Sequence, residues 1–186
     1  MKKMSTLFVV DYHKKGEPGK IHELVRPENN WVYTEEGVRA TRKFDGTAVA
    51  IIYGTLYKRY DSKHGKVAPE GAIPCCDPDP ISDHHPHWVR CERHKDKYFF
   101  EAFDMWLFWE DGTYELCGPK VGNNSENLFS HILIPHGEHV IDLPNFEFST
   151  IKDFLSDENN DIEGIVFHGK NGKMCKIRKT DFGIKR

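Results

Sequence analysis

The stretch IEGIVFHGKNGKMCKIRK (162–179) decides the fold. IEGIVFH (162–168) and MCKIRK (174–179) are built from β-forming residues, and Gly169-Lys170-Asn171-Gly172 between them is turn chemistry. The spacing predicts a β-hairpin. In MCKIRK, Lys176 and Arg178 stand two apart, so both side chains leave the same face of the strand. Glu163, at the mouth of the first strand, lies across the hairpin from them. An acid and two cations can therefore line one cleft.

Working outward, strand signals dominate. TAVAIIY (47–53) turns at Gly54-Thr55 and returns as LYKRYD (56–61). KYFFEAFDMWLFW (97–109) reads as a long aromatic strand that meets Asp111-Gly112 and returns as TYELCG (113–118). One helix is expected over STIKDFLSDEN (149–159), with Ser149 or Thr150 as N-cap and Ile151, Phe154 and Leu155 on one face. An earlier helix is expected over Glu17 to Leu24 or Glu35 to Arg39. Residues 61–96 hold Pro69, Pro74, Pro78, Pro80 and Pro86 and predict a Pro-rich ordered loop or insertion. The sum is an α+β class of antiparallel β-sheets with a few flanking helices, expected as a single domain over residues 1–186.

Composition narrows the function. The 186 residues are 30% charged and 38% hydrophobic, a balance of globular proteins that excludes wholesale disorder. No run of about 18 apolar residues exists, so a membrane-spanning helix is excluded. Leu7 to Val10 is too short for a secretory signal core. Twenty-six basic against 29 acidic residues give a net charge of −3, so any basic surface must be local. The five cysteines are odd in number and two are adjacent, which reads as reduced thiols and a cytoplasmic location. Cys75, Cys76, His84, His85, His87 and Cys91 offer zinc ligands. The adjacent cysteines lack a C-x₂₋₄-C knuckle, however, and Pro86 interrupts the histidines, so an ordered loop is the preferred reading.

Five short motifs carry chemistry, the last of them MCKIRK (174–179) above. Lys43-Phe44-Asp45-Gly46 sets an amine beside a carboxylate and a tight turn; alone it reads as a surface lysine. Leu56-Tyr57-Lys58-Arg59 lies on the strand paired with that of the first motif; alone it reads as a solvated face. Tyr114-Glu115-Leu116-Cys117-Gly118 and Glu163-Gly164-Ile165-Val166-Phe167 each present one carboxylate on a strand.

In this order, KFDG, YELCG, EGIVF and KIR resemble motifs I, III, IV and V of the covalent nucleotidyltransferase superfamily of polynucleotide ligases and messenger-RNA capping enzymes. PEGAIPCCDPDPISDHHPHWV (69–89), YELCGPKVGNN (114–124), EGIVFH (163–168) and KIRKTDFG (176–183) are more specifically similar to the RNA ligase 1 family of 5′-to-3′ RNA ligases. The resemblance implies a nucleotidyltransferase, ATP-grasp-like fold, and the few residues after the fifth motif lead to the expectation of no OB-fold domain. It implies an ATP-dependent RNA ligase that uses ATP and Mg²⁺, with Mn²⁺ as a substitute. Its partner would be RNA with 5′-phosphate and 3′-hydroxyl ends; no protein partner is indicated.

Lys43 would be the nucleophile that carries AMP, with Asp45 orienting it or the metal. Glu163, Lys176 and Arg178 complete the catalytic set by the same resemblance. Arg42, Gly46, Arg59 and Glu115 join Lys43, Glu163, Lys176 and Arg178 around the nucleotide, and Glu163 and Glu115 would hold metal. Arg42 stands where several ligases keep an acceptor for the adenine amino group, so the preference for ATP over GTP rests on the family. Phe129 and His131 are the aromatics that follow the third motif, where a base-stacking ring is expected. The physics agrees: a lysine amine with a pKa of about 10.4 is mostly protonated at neutral pH, and neighbouring cations favour its neutral, nucleophilic form. Two other readings stay open, a capping-type transferase of GMP and a nucleic-acid-binding relative without catalysis.

Overall fold

The computed structural model describes residues 2–11, 19–62, 65–79 and 83–185. In chain order the strands are β1 (Ser5–Thr6), β2 (Phe8–Asp11), β3 (Lys20–Val25), β4 (Arg39–Lys43), β5 (Thr47–Ile52), β6 (Thr55–Ser62), β7 (Ile73–Pro74), β8 (His85–Arg90), β9 (Gly112–Cys117), β10 (Ile132–Pro135), β11 (Gly164–His168) and β12 (Met174–Arg178). The helices are α1 (Trp31–Thr34), α2 (Lys97–Phe103) and α3 (Phe148–Ser156). The class is α+β, with mostly antiparallel sheets and few helices. Among the described residues no helix is long and apolar enough to cross a membrane.

The chain forms two compact units, and no linker composition in the sequence marks their boundary. The first comprises Met1–Lys3 and Asp45–His136; the second comprises Met4–Phe44 and Gly137–Arg186. The first unit carries a six-stranded sheet in the order β10-β9-β5-β6-β8-β7. One of its faces packs Val49, Ile51, Leu56 and Leu116 against Ala102, Phe99, Phe100 and Phe103 of α2. The opposite face carries the small Ala48 and Ala50 beside Trp88. The second unit carries a four-stranded sheet, β1-β12-β11-β4, and the hairpin β2-β3. Its core joins Leu7, Ile165, Phe167, Cys175 and Ile177 to Ile151 and Leu155 of α3.

The two hairpins expected at 47–61 and 162–179 are formed, by β5–β6 and β11–β12. The late helix is also present, although its N-cap is Glu147 rather than Ser149 or Thr150. Three expectations fail. KYFFEAFDMWLFW is not a strand, because its first half is α2. Phe99, Ala102 and Phe103 recur at helical spacing and bury together, which outweighs the strand propensity of the aromatic run. Asp111-Gly112 is not a hairpin turn; the Asp111 carboxylate instead accepts hydrogen bonds from the Tyr53 and Gly54 amides at 2.6 and 3.1 Å. The early helix is not at either expected place. Residues 20–25 and 39–43 are strands, and the short α1 lies between them; Glu17 itself lies outside the described residues.

Residues 61–96 are more regular than a loop. β6 runs to Ser62, and β8 pairs with it from Tyr57↔Arg90 to Ser62↔His85. Pro86 sits near the start of β8, where a missing amide costs least; Pro80 lies outside the described residues. Among the described residues no three His, Cys, Asp or Glu side chains converge as a metal cluster would require. None of the five cysteines forms a disulfide, and burial pushes Cys91 and Cys175 up to about 12.

Gly164 is fixed by a close approach. A Cβ there would lie 2.2 Å from the Ile177 carbonyl oxygen and 2.8 Å from Arg178 Cα, both backbone atoms. Gly164→Ala is therefore expected to destabilise the second unit by about 1–3 kcal/mol, the usual range for overpacking, measured as a lower urea midpoint.

Candidate active site

Strand register builds the site in the second unit. β4 and β12 flank β11, which places Lys43 opposite Gly164 and Gly164 opposite Arg178. One step along, Thr41 faces Val166, Val166 faces Lys176, and Lys176 faces Thr6. Ala40, Ile165, Phe167, Cys175 and Ile177 occupy the alternate positions and enter the core. Lys43, Lys176 and Arg178 are thereby confined to the face that the core does not use. Gly164 adds no side chain between Lys43 and Arg178.

Glu163 immediately precedes β11, and its carboxylate accepts a hydrogen bond from Lys43 Nζ. Both side chains are about four-fifths buried, with 18% and 20% exposure. Lys43 Nζ also donates to the Phe44 carbonyl at 3.4 Å. Arg178 is clamped by Asp181, a nearly fully buried acid three residues on. Its backbone amide donates at 2.9 Å and its Nη2 at 2.8 Å to that carboxylate. Arg42 turns its guanidinium over the Phe44 ring at 4.8 Å and donates to the Asp161 carbonyl at 3.1 Å.

Lys176 has the clearest electrostatic signature. Burial, followed by the positive charges of Arg178 and Lys43, lowers its pKa from 10.5 to about 8; Glu163 and Asp181 oppose the shift. Burial disfavours the charged amine first, and the neighbouring cations add to that effect.

The remaining candidates belong to the first unit. Asp45 accepts from the Ser125 hydroxyl at 2.6 Å, and its amide donates to Glu126 at 3.1 Å. Gly46 is sterically required, since a Cβ would lie 2.3 Å from the Leu116 carbonyl oxygen. Glu115 and Arg59 share the sheet face that carries Ala48 and Trp88: Glu115 pairs with Ala48, and Arg59 with Trp88. Glu115 is held at 2.8 Å by His136 Nε2, while His136 Nδ1 lies 3.1 Å from the Thr113 hydroxyl. Arg59 Nε donates to Asp61 at 2.8 Å. His131 is buried against Tyr98, and Phe129 is fully exposed.

The structure thus brings Lys43, Glu163, Lys176 and Arg178 together, with Arg42 on the same strand as Lys43. It sets Glu115, Arg59 and Gly46 around one end and one face of the other sheet. Asp181, His136, Ser125 and Glu126 are supporting residues that the motifs did not identify. Asp181 had a visible signal, an acid three residues after Arg178; the others had none.

Residues 108–186 match the family model described as RNA ligase 1. The resemblance is to RNA ligase 1. RNA ligase 1 of Danio rerio is 34% identical over 80 residues, covering 39% of this chain and 25% of that protein. RNA ligase 1 of Pongo abelii is 26% identical over 160 residues, covering 64% of this chain and 49% of that protein. The chain therefore spans half or less of the length of these relatives. The stretch matched to the RNA ligase 1 family holds Glu115, Glu163, Lys176 and Arg178, and Lys43 lies before it.

Lys176 also sets a pH dependence. Its folded pKa of about 8 lies below its ordinary 10.5, so between these values the unfolded chain holds the proton that the folded chain has released. This group's contribution to stability therefore rises with pH across that window. Lys176→Met is expected to raise the melting temperature at pH 7, with a gain that shrinks toward pH 10, as followed by thermal melts.

Proposed function

We propose that the chain is an ATP-dependent RNA ligase that works through a lysyl-AMP intermediate on Lys43 and joins 5′-phosphate to 3′-hydroxyl RNA ends. The observation that carries this reading is the Lys43–Glu163 pair set on one sheet face with Lys176 and Arg178. The names of the relatives support it, as does the motif order.

In the first step, Lys43 Nζ attacks the α-phosphorus of ATP. The N–P bond forms, the bond to the bridging oxygen breaks, and pyrophosphate leaves with the electron pair. The attacking amine must lose its proton, and the Glu163 carboxylate, already its hydrogen-bond acceptor, is positioned to take it. Lys176 and Arg178 oppose the negative charge that builds on the phosphate oxygens. Asp181 holds the Arg178 guanidinium in one orientation, which reduces what must be ordered when the nucleotide arrives.

Once the Lys43 nitrogen is bonded to phosphorus it is no longer an ammonium, and its ion pair with Glu163 dissolves. After it passes the accepted proton to water, Glu163 is again a carboxylate, a hard oxygen donor suited to Mg²⁺, which commonly takes one or two protein carboxylates together with water and substrate phosphates. When bound, Mg²⁺ would neutralise charge on the pyrophosphate. Glu115 would take the ribose hydroxyls or metal, and Arg59 the nucleotide or RNA phosphate. The adenylate then passes from Lys43 to an oxygen of the RNA 5′-phosphate, and the lysine recovers its proton. Attack by a 3′-hydroxyl on that activated phosphate forms the phosphodiester and releases AMP.

Incubation with α-labelled ATP is expected to label the protein covalently, and the label is expected to chase onto 5′-phosphorylated RNA. Lys43→Ala is expected to abolish labelling; retained label in that variant refutes the assignment. Label from GTP alone would instead support a capping-type transferase, and no label under any divalent metal would support a binding protein. Glu163→Ala and Lys176→Ala are each expected to slow labelling at least about tenfold, or about 1.4 kcal/mol of barrier, read as single-turnover rates.

A further inference from the structure

In the first unit, strand register gathers Glu115, Thr113 and His136. Thr113 and Glu115 stand two apart on β9, so their side chains leave the same sheet face. His136 follows β10, and its amide donates to the Thr113 carbonyl at 3.1 Å. That bond carries the antiparallel pairing one residue beyond Pro135↔Tyr114. His136 is therefore opposite Thr113, diagonal to Glu115 and on their face. Its Nε2 lies 2.8 Å from Glu115 Oε2, and its Nδ1 lies 3.1 Å from the Thr113 hydroxyl. A carboxylate only accepts, so Nε2 carries a proton. A hydroxyl both donates and accepts, so Thr113 suits Nδ1 in either state of the ring. Turning the ring over would break both bonds.

The carboxylate held in this way is only half satisfied. Glu115 is 13% exposed, and a polar group so enclosed ordinarily has its hydrogen bonds made within the protein. Among the described residues no hydrogen bond reaches Glu115 Oε1, and that oxygen is not sealed from solvent. Its neighbours on the β5 side are small. Ala48 pairs with Glu115, and a Cβ at Gly46 would lie 2.8 Å from Glu115 Cγ. One oxygen is thus fixed by His136, and the other is left for a donor from outside the protein.

We propose that His136, set by Thr113, is the positioning residue for Glu115: it takes Oε2 and so aims Oε1 at a ribose hydroxyl of the nucleotide. This rests on the ligase reading, which sets Glu115 at the nucleotide, and it assigns that carboxylate to the ribose in preference to metal. A hydroxyl donor needs one oriented oxygen, which is what the Thr113–His136 pair leaves.

The test is single-turnover self-labelling of the whole chain by ATP, 2′-deoxy-ATP and 3′-deoxy-ATP, with equilibrium ATP binding followed in parallel by calorimetry. His136→Ala is expected to raise the half-saturating ATP concentration about fivefold, the scale of one lost hydrogen bond, and to change the limiting rate much less. Wild type is expected to prefer ATP over one of the deoxy analogues, and His136→Ala to lose most of that preference. His136→Gln is expected to restore both properties, because its amide can donate where Nε2 did. Thr113→Val is expected to act in the same direction as His136→Ala and more weakly; if His136→Ala does not fold, this variant decides. An unmoved half-saturating ATP concentration in the folded variants overturns the proposal. So does a raised one with the preference intact against both analogues, or a rise confined to the Mg²⁺ requirement. The two readings fail separately. Covalent AMP with a wild-type ATP response in His136→Ala removes this role alone. ATP binding that His136→Ala weakens, without covalent AMP in wild type, removes the ligase alone.

Discussion

Everything at the candidate site depends on the register of three strands. β11 lies between β4 and β12, and its pairing aligns Lys43, Gly164 and Arg178 in one row and Lys176 in the next. A slip of one residue in either ladder would turn a cation into the core and an isoleucine or cysteine out of it. The core residues Ile165, Phe167, Cys175 and Ile177 therefore do more than stabilise the second unit. Their burial prohibits the alternative registers and so holds the amine of Lys43 at the carboxylate of Glu163.

The same face works against stability. Three basic side chains converge on a sheet with limited access to water, and acids answer them only in part. Asp181 is committed to Arg178, and Glu163 to Lys43. Lys176 bears the remainder as a depressed pKa. A folded protein without a phosphate ligand gains nothing from this crowding. A negatively charged ligand on this face would relieve it.

The sequence made the two hairpins and the late helix legible because each is local. Turn residues separate strand residues within twenty positions, or apolar residues recur along one face. It made Lys43, Glu163, Lys176 and Arg178 legible as a set because short motifs kept their order. It did not reveal that β4 lies against β11, a pairing across more than 120 positions with no local signature. KYFFEAFDMWLFW misled because aromatic residues suit strands and helices alike, and only Ala102 between Phe99 and Phe103 marked the helical face. β8 was hidden by its proline and histidines, which usually mark irregular chain. The partners His136, Ser125 and Glu126 were invisible because a hydrogen bond between distant residues leaves no spacing to read.

The division of the chain has a consequence for biosynthesis. The first unit's main body, Asp45–His136, is one uninterrupted stretch, while the second unit needs residues from both before and after it. On a ribosome the inserted body can complete its sheet while β4 still lacks a partner. Lys43 is thus made before the strand it pairs with, and that pairing waits until β11 emerges. Closing that long loop carries an entropic cost that grows only slowly with its length but delays the ladder kinetically. A chain truncated before β12 would leave β11 with an unpaired strand edge, a natural substrate for chaperones.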